Sequence, residues 1–235
     1  MSAPQTFVLV HGAWHGAWCW RRVARLLTRA GHEVFTPTLT GLAERSHQLT
    51  PAINLDTHIF DVVNEMKWQE LSNVVLVGHS YGGMVISGVT EKMERAILSF
   101  VMLDAFMPEN GQSLVDLQPP PMRDAVLAAE RQGATNLPPR PAEVFKVNEK
   151  DRAWVDAQCT PQPIKCFLQK LTLTGARERV AKKTYIRATA YPSQYFDDGL
   201  ASARAKNWRM YEVECGHDVM LDMPERLAEI LQDAA

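Results

Sequence analysis

The sequence predicts an α/β fold, a mostly parallel sheet of about six strands with helices on both faces. Two observations lead there. Short apolar, β-branched runs such as Thr6-Phe7-Val8-Leu9-Val10 and Val74-Val75-Leu76-Val77 read as strands covered on both faces. Between such runs lie stretches whose apolar residues recur at helical spacing, and alternation of strand and helix is the pattern of a parallel sheet.

The first strand, residues 6–10, runs into His11-Gly12-Ala13-Trp14-His15-Gly16. Over residues 18–30, Val23, Leu26, Leu27 and Ala30 mark the buried side of a helix, and Gly31 stands where a helix would be capped. Arg21, Arg25 and Arg29 line another side and read as a solvated face rather than a phosphate site. A second strand is expected over residues 32–36, then a polar loop over residues 41–54. Asp56 is placed to cap a helix whose core face is Ile59, Val62, Val63 and Met66. The strand at 74–77, its glycine-rich turn, a helix and a strand at 96–103 follow.

Between residues 106 and 183 the rhythm breaks. Pro119-Pro120-Pro121, Pro138-Pro139 and Pro161-x-Pro163 punctuate short helical pieces such as residues 122–132, with no strand pattern. About eighty residues is too long for a bare loop in a compact domain. The expectation is therefore a core of residues 1–105 and 184–235, with residues 106–183 inserted as a mainly helical cap over the active site. The core resumes with a strand at 184–187, a helix after Gln194 and a strand at 208–213. A last helix opens at Asp222 and Pro224 and buries Leu227, Ile230 and Leu231.

A chain of 235 residues suits one such domain with an insertion. A net charge of −2 gives no reason to expect nucleic acid or an anionic membrane surface as partner. No apolar run approaches a membrane span, and Met1-Ser2-Ala3-Pro4-Gln5 lacks the features of a signal peptide. The four cysteines, Cys19, Cys159, Cys166 and Cys215, show no metal-ligand spacing and are expected as free thiols. A cytoplasmic protein without a metal is the expectation.

The chemistry gathers at the carboxyl ends of the strands, where sites form in open parallel sheets. Gly78-His79-Ser80-Tyr81-Gly82 fits the pattern G-x-S-x-G in strand–turn–helix context, which exposes a serine hydroxyl below the positive end of a helix. Such a hydroxyl needs a base, and the base needs an acceptor that fixes its tautomer. His217, beside Gly216 after the last strand, is the candidate base. Asp104 ends the apolar run Phe100-Val101-Met102-Leu103, where burial demands a partner, and His217 would supply one. Asp197 or Asp198 is the alternative acid. The backbone N–H groups of Ala13 and Tyr81 are candidate oxyanion donors. Trp14, Tyr81, Phe106, Met107, Trp154, Phe167, Val219 and Met220 are candidates for an apolar pocket wall. His11 and His15 lack a third ligand or helical frame for a metal.

With these residues in place, the chain resembles the α/β-hydrolases. Within them it resembles the branch of plant methyl esterases and hydroxynitrile lyases, together with bacterial carboxylesterases of similar length. The likeness rests on Phe7 through Trp18, on Gly78 through Gly83, on Phe106-Met107-Pro108 and on Gly216-His217. The resemblance implies an α/β-hydrolase fold and cofactor-independent serine hydrolysis. Two departures stand out. The plant enzymes carry their acid after the strand equivalent to residues 184–187, where this chain has none, whereas some lipases and haloalkane dehalogenases place it where Asp104 stands. The lyases resemble a pattern with threonine at the position of Gly12 and lysine just after the catalytic histidine, where this chain has Asp218. A serine hydrolase of small to medium carboxylic esters is the expected function, with no cofactor and a small-molecule ester as its partner. A hydroxynitrile lyase or other non-hydrolytic activity, and a non-enzymatic ligand receptor, are the alternatives. A homodimer is left open.

Overall fold

The computed structural model describes residues 3–235. In chain order the elements are β1 (Thr6–Val10), α1 (Arg21–Arg29), β2 (Glu33–Phe35), α2 (Leu55–Trp68), β3 (Val74–His79), α3 (Gly82–Met93) and β4 (Ile97–Leu103). The insert follows with α4 (Pro120–Arg131), β5 (Asn136–Leu137), α5 (Glu149–Gln158), β6 (Gln162–Pro163), α6 (Lys165–Leu168) and α7 (Ala176–Arg179). The chain closes with β7 (Lys182–Ala188), α8 (Gln194–Ala205), β8 (Arg209–Val213), α9 (Val219–Asp222) and α10 (Pro224–Ala234).

Six strands form one parallel sheet in the order β2-β1-β3-β4-β7-β8. The chain moves outward from β1 to β2, then returns to lay β3 on the other side of β1. The crevice at that reversal is where ligands bind in open α/β sheets, and both the β1 exit and the β3–α3 turn open onto it. Side chains alternate across the sheet as the strand period requires. Val8, Val10, Val74 and Leu76 meet α2, α3 and α8 on one face, while Phe7, Leu9, Val75 and Val77 meet α1, α9 and α10 on the other. Burial on both faces explains why these strands read as unbroken apolar runs rather than alternating ones.

Three local differences from the sequence reading have physical causes. Asn54, not Asp56, caps α2. Its side chain accepts the Thr57 N–H at 3.0 Å, while the Thr57 hydroxyl accepts the Asn54 N–H at 3.3 Å. Asp56 lies inside the first turn, where its charge complements the helix dipole. The insert does contain strand, a two-residue antiparallel pair with Asn136 opposite Pro163 and Leu137 opposite Gln162. Two residues are too few to show an alternating pattern. The second strand is also shorter than expected, ending at Phe35. Arg21, Arg25 and Arg29 stand exposed along α1. No helix among the described residues is long and apolar enough to cross a membrane.

The cap assignment is testable. Asn54→Ala should cost about 1 kcal/mol of stability in urea melts, and Asp56→Ala only a few tenths; the reverse ranking would return the cap to Asp56.

Candidate active site

The β3–α3 turn forces Ser80 into a backbone conformation that residues other than glycine rarely adopt, with φ of +53°. Close approach of the flanking segments makes this turn possible. A β-carbon on Gly78 would lie 2.7 Å from the Gly82 carbonyl oxygen, and one on Gly82 would lie 2.7 Å from the Val10 carbonyl oxygen. The turn is held by its own backbone: the Ser80 N–H donates to Leu103, and the Ser80 carbonyl accepts from Gly83 and Phe106. Among the described residues the Ser80 hydroxyl has no hydrogen-bond partner, and it opens on a cavity of about 270 Å³.

His217 lines the same cavity. Its loop, between β8 and α9, is pinned on both sides of the ring, because its N–H donates to the Phe145 carbonyl at 2.9 Å and its carbonyl accepts from His79 Nε2 at 3.0 Å. The imidazole sits in an aromatic box, stacked on Phe196 at 5.2 Å between ring centres, with Tyr191 at 4.8 Å and Phe145 at 5.7 Å. Nδ1 meets Asp104 Oδ2 at 2.6 Å. The other ring nitrogen has no intramolecular partner among the described residues.

Asp104 is completely buried. Its second oxygen accepts from Arg187 Nη1 at 2.9 Å and from the Ala188 N–H at 3.1 Å. With three hydrogen bonds, two of them from charged or ring N–H donors, the carboxylate's desolvation is compensated. Arg187, itself buried, spends all five of its N–H groups: on Asp104, on Asp197, and on the carbonyls of Ala188, Tyr191 and Ser193. Asp197 therefore faces Arg187, and Asp198 accepts from Gln194 at 2.8 Å. Neither reaches the imidazole. Arg187 escaped the sequence reading, although a charge ending an apolar run is the same signal that singled out Asp104.

The N–H groups of Ala13 and Tyr81 have no intramolecular acceptor among the described residues, and both residues line the cavity. The loop after β1 that carries Ala13 is tied to the insert: Trp14 donates its N–H to Gln162 and its indole N–H to Leu137, and accepts from Thr160. This seats Ala13 opposite the Ser80 turn.

Four other buried histidines, His11, His15, His58 and His79, sort by what their nitrogens face. His11 donates to the Gly12 carbonyl and accepts from the Leu39 N–H, so it carries one proton. His58 donates to the Thr40 carbonyl and accepts from the Tyr81 hydroxyl. Burial pushes His11 down to about 3 and His58 down to about 4, and it holds His79 well below its ordinary value. His15 differs because both its nitrogens face acceptors: the Ala13 carbonyl at 2.8 Å and Asp218 Oδ2 at 3.2 Å. It is an imidazolium. Burial alone would lower it, but the Asp218 carboxylate overrides this and raises it, and the cation in turn holds the buried Asp218 far below the usual carboxylate range. This ion pair links the loop of Ala13 to the loop of His217. His11 and His15 turn to different partners, and no cluster of three or more metal-ligating side chains occurs among the described residues.

Of the residues expected in the pocket wall, Trp14, Tyr81, Phe106 and Phe167 line the cavity. Four do not. Met107 is buried beside it, its N–H donating to Tyr195. Trp154 packs edge-on against Trp18 and beneath Arg22, on the α1 side. Val219 and Met220 follow His217 by two and three residues, but the chain turns into α9 there and buries them on the opposite face of the sheet. The wall is completed instead by Phe145 from the insert and by Tyr191, Tyr195 and Phe196 after β7. An aromatic-rich loop at a strand's carboxyl end was the available signal. A larger open depression of about 990 Å³ runs along α1 past Trp18 and Arg21, but it holds neither Ser80 nor His217.

A sheet with this strand order and a strained serine at the β3–α3 turn define a hydrolase-type α/β protein. The comparisons agree: residues 7–230 match the model of the alpha/beta hydrolase family, and the chain belongs to that family. It is 44% identical to the carbendazim hydrolyzing esterase of Nocardioides sp. (strain SG-4G) over 96% of this chain and 97% of that protein. It is 27% identical to methylesterase 10 of Arabidopsis thaliana, over 97% and 91% of the two chains. Among solved structures, an extracellular alpha/beta-hydrolase from a Paenibacillus species superposes with a TM-score of 0.87 at 26% identity, covering 99% of both chains.

The two kinds of buried histidine set opposite pH limbs. His11, His58 and His79 are depressed in the folded state, so their stability contribution is present above pH 6.5 and is lost as pH falls toward 4 and 3. His15 is raised, so its contribution is present below pH 6.5 and is lost as pH rises through its folded value. The melting temperature should therefore fall on acidification from pH 7 to pH 4; a flat acid limb would contradict the neutral assignments. Asp218→Ala should cost about 1–3 kcal/mol in urea at pH 7, because burial then drives His15 to its neutral form and its Nε2 is left without a partner.

Proposed function

We propose that the protein is a serine esterase of small to medium carboxylic esters, working through an acyl-enzyme. The observation that carries this reading is the 2.6 Å contact of His217 with the buried Asp104, at the wall of the cavity onto which Ser80 opens. In this reading Ser80 Oγ attacks the ester carbonyl while His217 Nε2 takes its proton. Asp104 holds Nδ1 protonated and stabilises the imidazolium that forms. The carbonyl oxygen, now negative, turns to the N–H groups of Ala13 and Tyr81, which meet no acceptor until that moment. His217 returns the proton to the departing alcohol. A water activated by the same imidazole then cleaves the acyl-enzyme.

Residues 106–183 act as the cap, a role supported by the wall residues Leu114, Pro119, Met122, Phe145 and Phe167 that they contribute. The aromatic wall favours apolar groups on either side of the ester. Relatives named as esterases support hydrolysis. The lyase alternative is weakened by two features. Asp218, where a lysine would serve that chemistry, is an anion committed to His15. A β-carbon at Gly12 would stand only 3.0 Å from Ser80 Cβ, so a threonine there would crowd the nucleophile.

Ser80→Ala should retain its melting temperature and lose about 10⁶-fold in kcat on a p-nitrophenyl ester. Asp104→Asn should lose on the order of 10⁴-fold, while Asp197→Asn should lose far less; the opposite order would move the acid. Mandelonitrile cleavage outpacing ester hydrolysis would favour the lyase.

A further inference from the structure

One arginine lines the cavity, among mainly aromatic and apolar side chains with Gln118, Ser193 and Gln194 between them. Arg140 is half-buried at its wall, and among the described residues no hydrogen bond or ion pair engages its guanidinium. The acidic groups near the site are committed elsewhere: Asp104 to His217 and Arg187, Asp218 to His15, and Glu143 to Arg152. What Arg140 does touch is an aromatic face, its guanidinium carbon lying 5.7 Å from the centre of the Phe145 ring. That ring in turn lies 5.7 Å from the imidazole of His217 and 6.0 Å from Trp14. Arg140 is therefore held one ring away from the reacting centre. It also acts on Tyr191, the neighbour of His217, by opposing the rise that burial imposes on the phenol.

The backbone that presents Arg140 is stiff. It lies in Pro138-Pro139-Arg140-Pro141, where proline fixes its own φ and restricts the residue before it. Pro141 adopts φ −56° and ψ 140°, an extended polyproline geometry. The segment is anchored just upstream, where Leu137 pairs with Gln162 and its carbonyl accepts the Trp14 indole N–H at 3.2 Å. A rigid mount lowers the ordering cost of binding through this side chain. A guanidinium stacked on an aromatic face keeps its N–H edges free for a planar oxyanion, which it recognises with two parallel hydrogen bonds.

We propose that Arg140 forms a carboxylate subsite and that the favoured substrates are esters bearing a second, free carboxylate, the half-esters of dicarboxylic acids. This rests on the esterase reading and specifies its substrate class. The apolar middle of such a substrate crosses the aromatic wall, one end reaches Ser80, and the charged end meets Arg140. A cavity with one arginine and no carboxylate facing it discriminates by charge, because the carboxylate of a half-ester finds a partner there and the methyl end of a neutral ester leaves the cation unpaired.

The test compares monomethyl adipate with methyl hexanoate, which has the same acyl length and no charge, across wild type and Arg140→Gln. Wild type should favour the half-ester in kcat/KM. Arg140→Gln should reduce the half-ester at least tenfold more than the neutral ester, chiefly through KM, and 0.5 M NaCl should narrow the wild-type preference. Equal losses on both esters, or no preference in wild type, would overturn the subsite. Calorimetry of adipate with Ser80→Ala reads recognition without turnover, and adding Arg140→Gln should weaken binding at least tenfold. If wild type cleaves neither ester, the esterase reading falls. If adipate binds both Ser80→Ala proteins equally, the subsite falls and the esterase reading stands.

Discussion

The hydrogen bond between His217 and Asp104 joins positions 113 residues apart, and most of the architecture around it serves to keep it short. A carboxylate with no solvent exposure is stable only when its lone pairs are taken. Asp104 meets that demand with the imidazole, the Ala188 N–H and Arg187. The arginine is also buried, and beyond Asp104 and Asp197 its donors go to the carbonyls of Ala188, at the end of β7, and of Tyr191 and Ser193 in the loop that follows. One charge neutralises the other, and both are locked to backbone. The imidazole then has no freedom to turn away, since Phe196 covers one of its faces and the backbone on each side of it is bonded.

A second buried pair performs a related task for the other half of the site. His15 and Asp218 bridge the turn of Ala13 and the loop of His217, which lie 203 residues apart. The proposed oxyanion donor and the proposed base are thereby placed relative to each other without direct contact. Such a pair brings little net stability, because desolvation offsets its attraction. What it brings is position: neither loop can shift without stranding a charge.

Much of this was legible in the chain. β3 and its turn announced themselves by a β-branched run ending in glycines, since both sheet faces are covered and the turn tolerates no β-carbon. Asp104 could be singled out because a carboxylate at the end of an apolar strand must have a partner. The pocket wall was harder to read. Val219 and Met220 come only two and three residues after His217, yet a single turn of helix sends them beneath the sheet. Phe145 and Tyr191 reach the cavity from segments whose paths depend on tertiary contacts, which no local periodicity encodes. The Asn54 cap was missed for a smaller reason: two acceptors stand two residues apart, and only backbone geometry chooses between them.

The segment after β7 carries no carboxylate facing the imidazole; its loop supplies Tyr191, and the first turn of α8 supplies Tyr195 and Phe196, to the cavity wall. The proposed proton path and most of the aromatic wall therefore sit on separate stretches of chain. Changes in the aromatic side chains can reshape the cavity while Asp104 keeps its surroundings, provided that Arg187 still finds the carbonyls of Tyr191 and Ser193. A scaffold partitioned in this way can acquire new substrates by exchanging a few ring side chains.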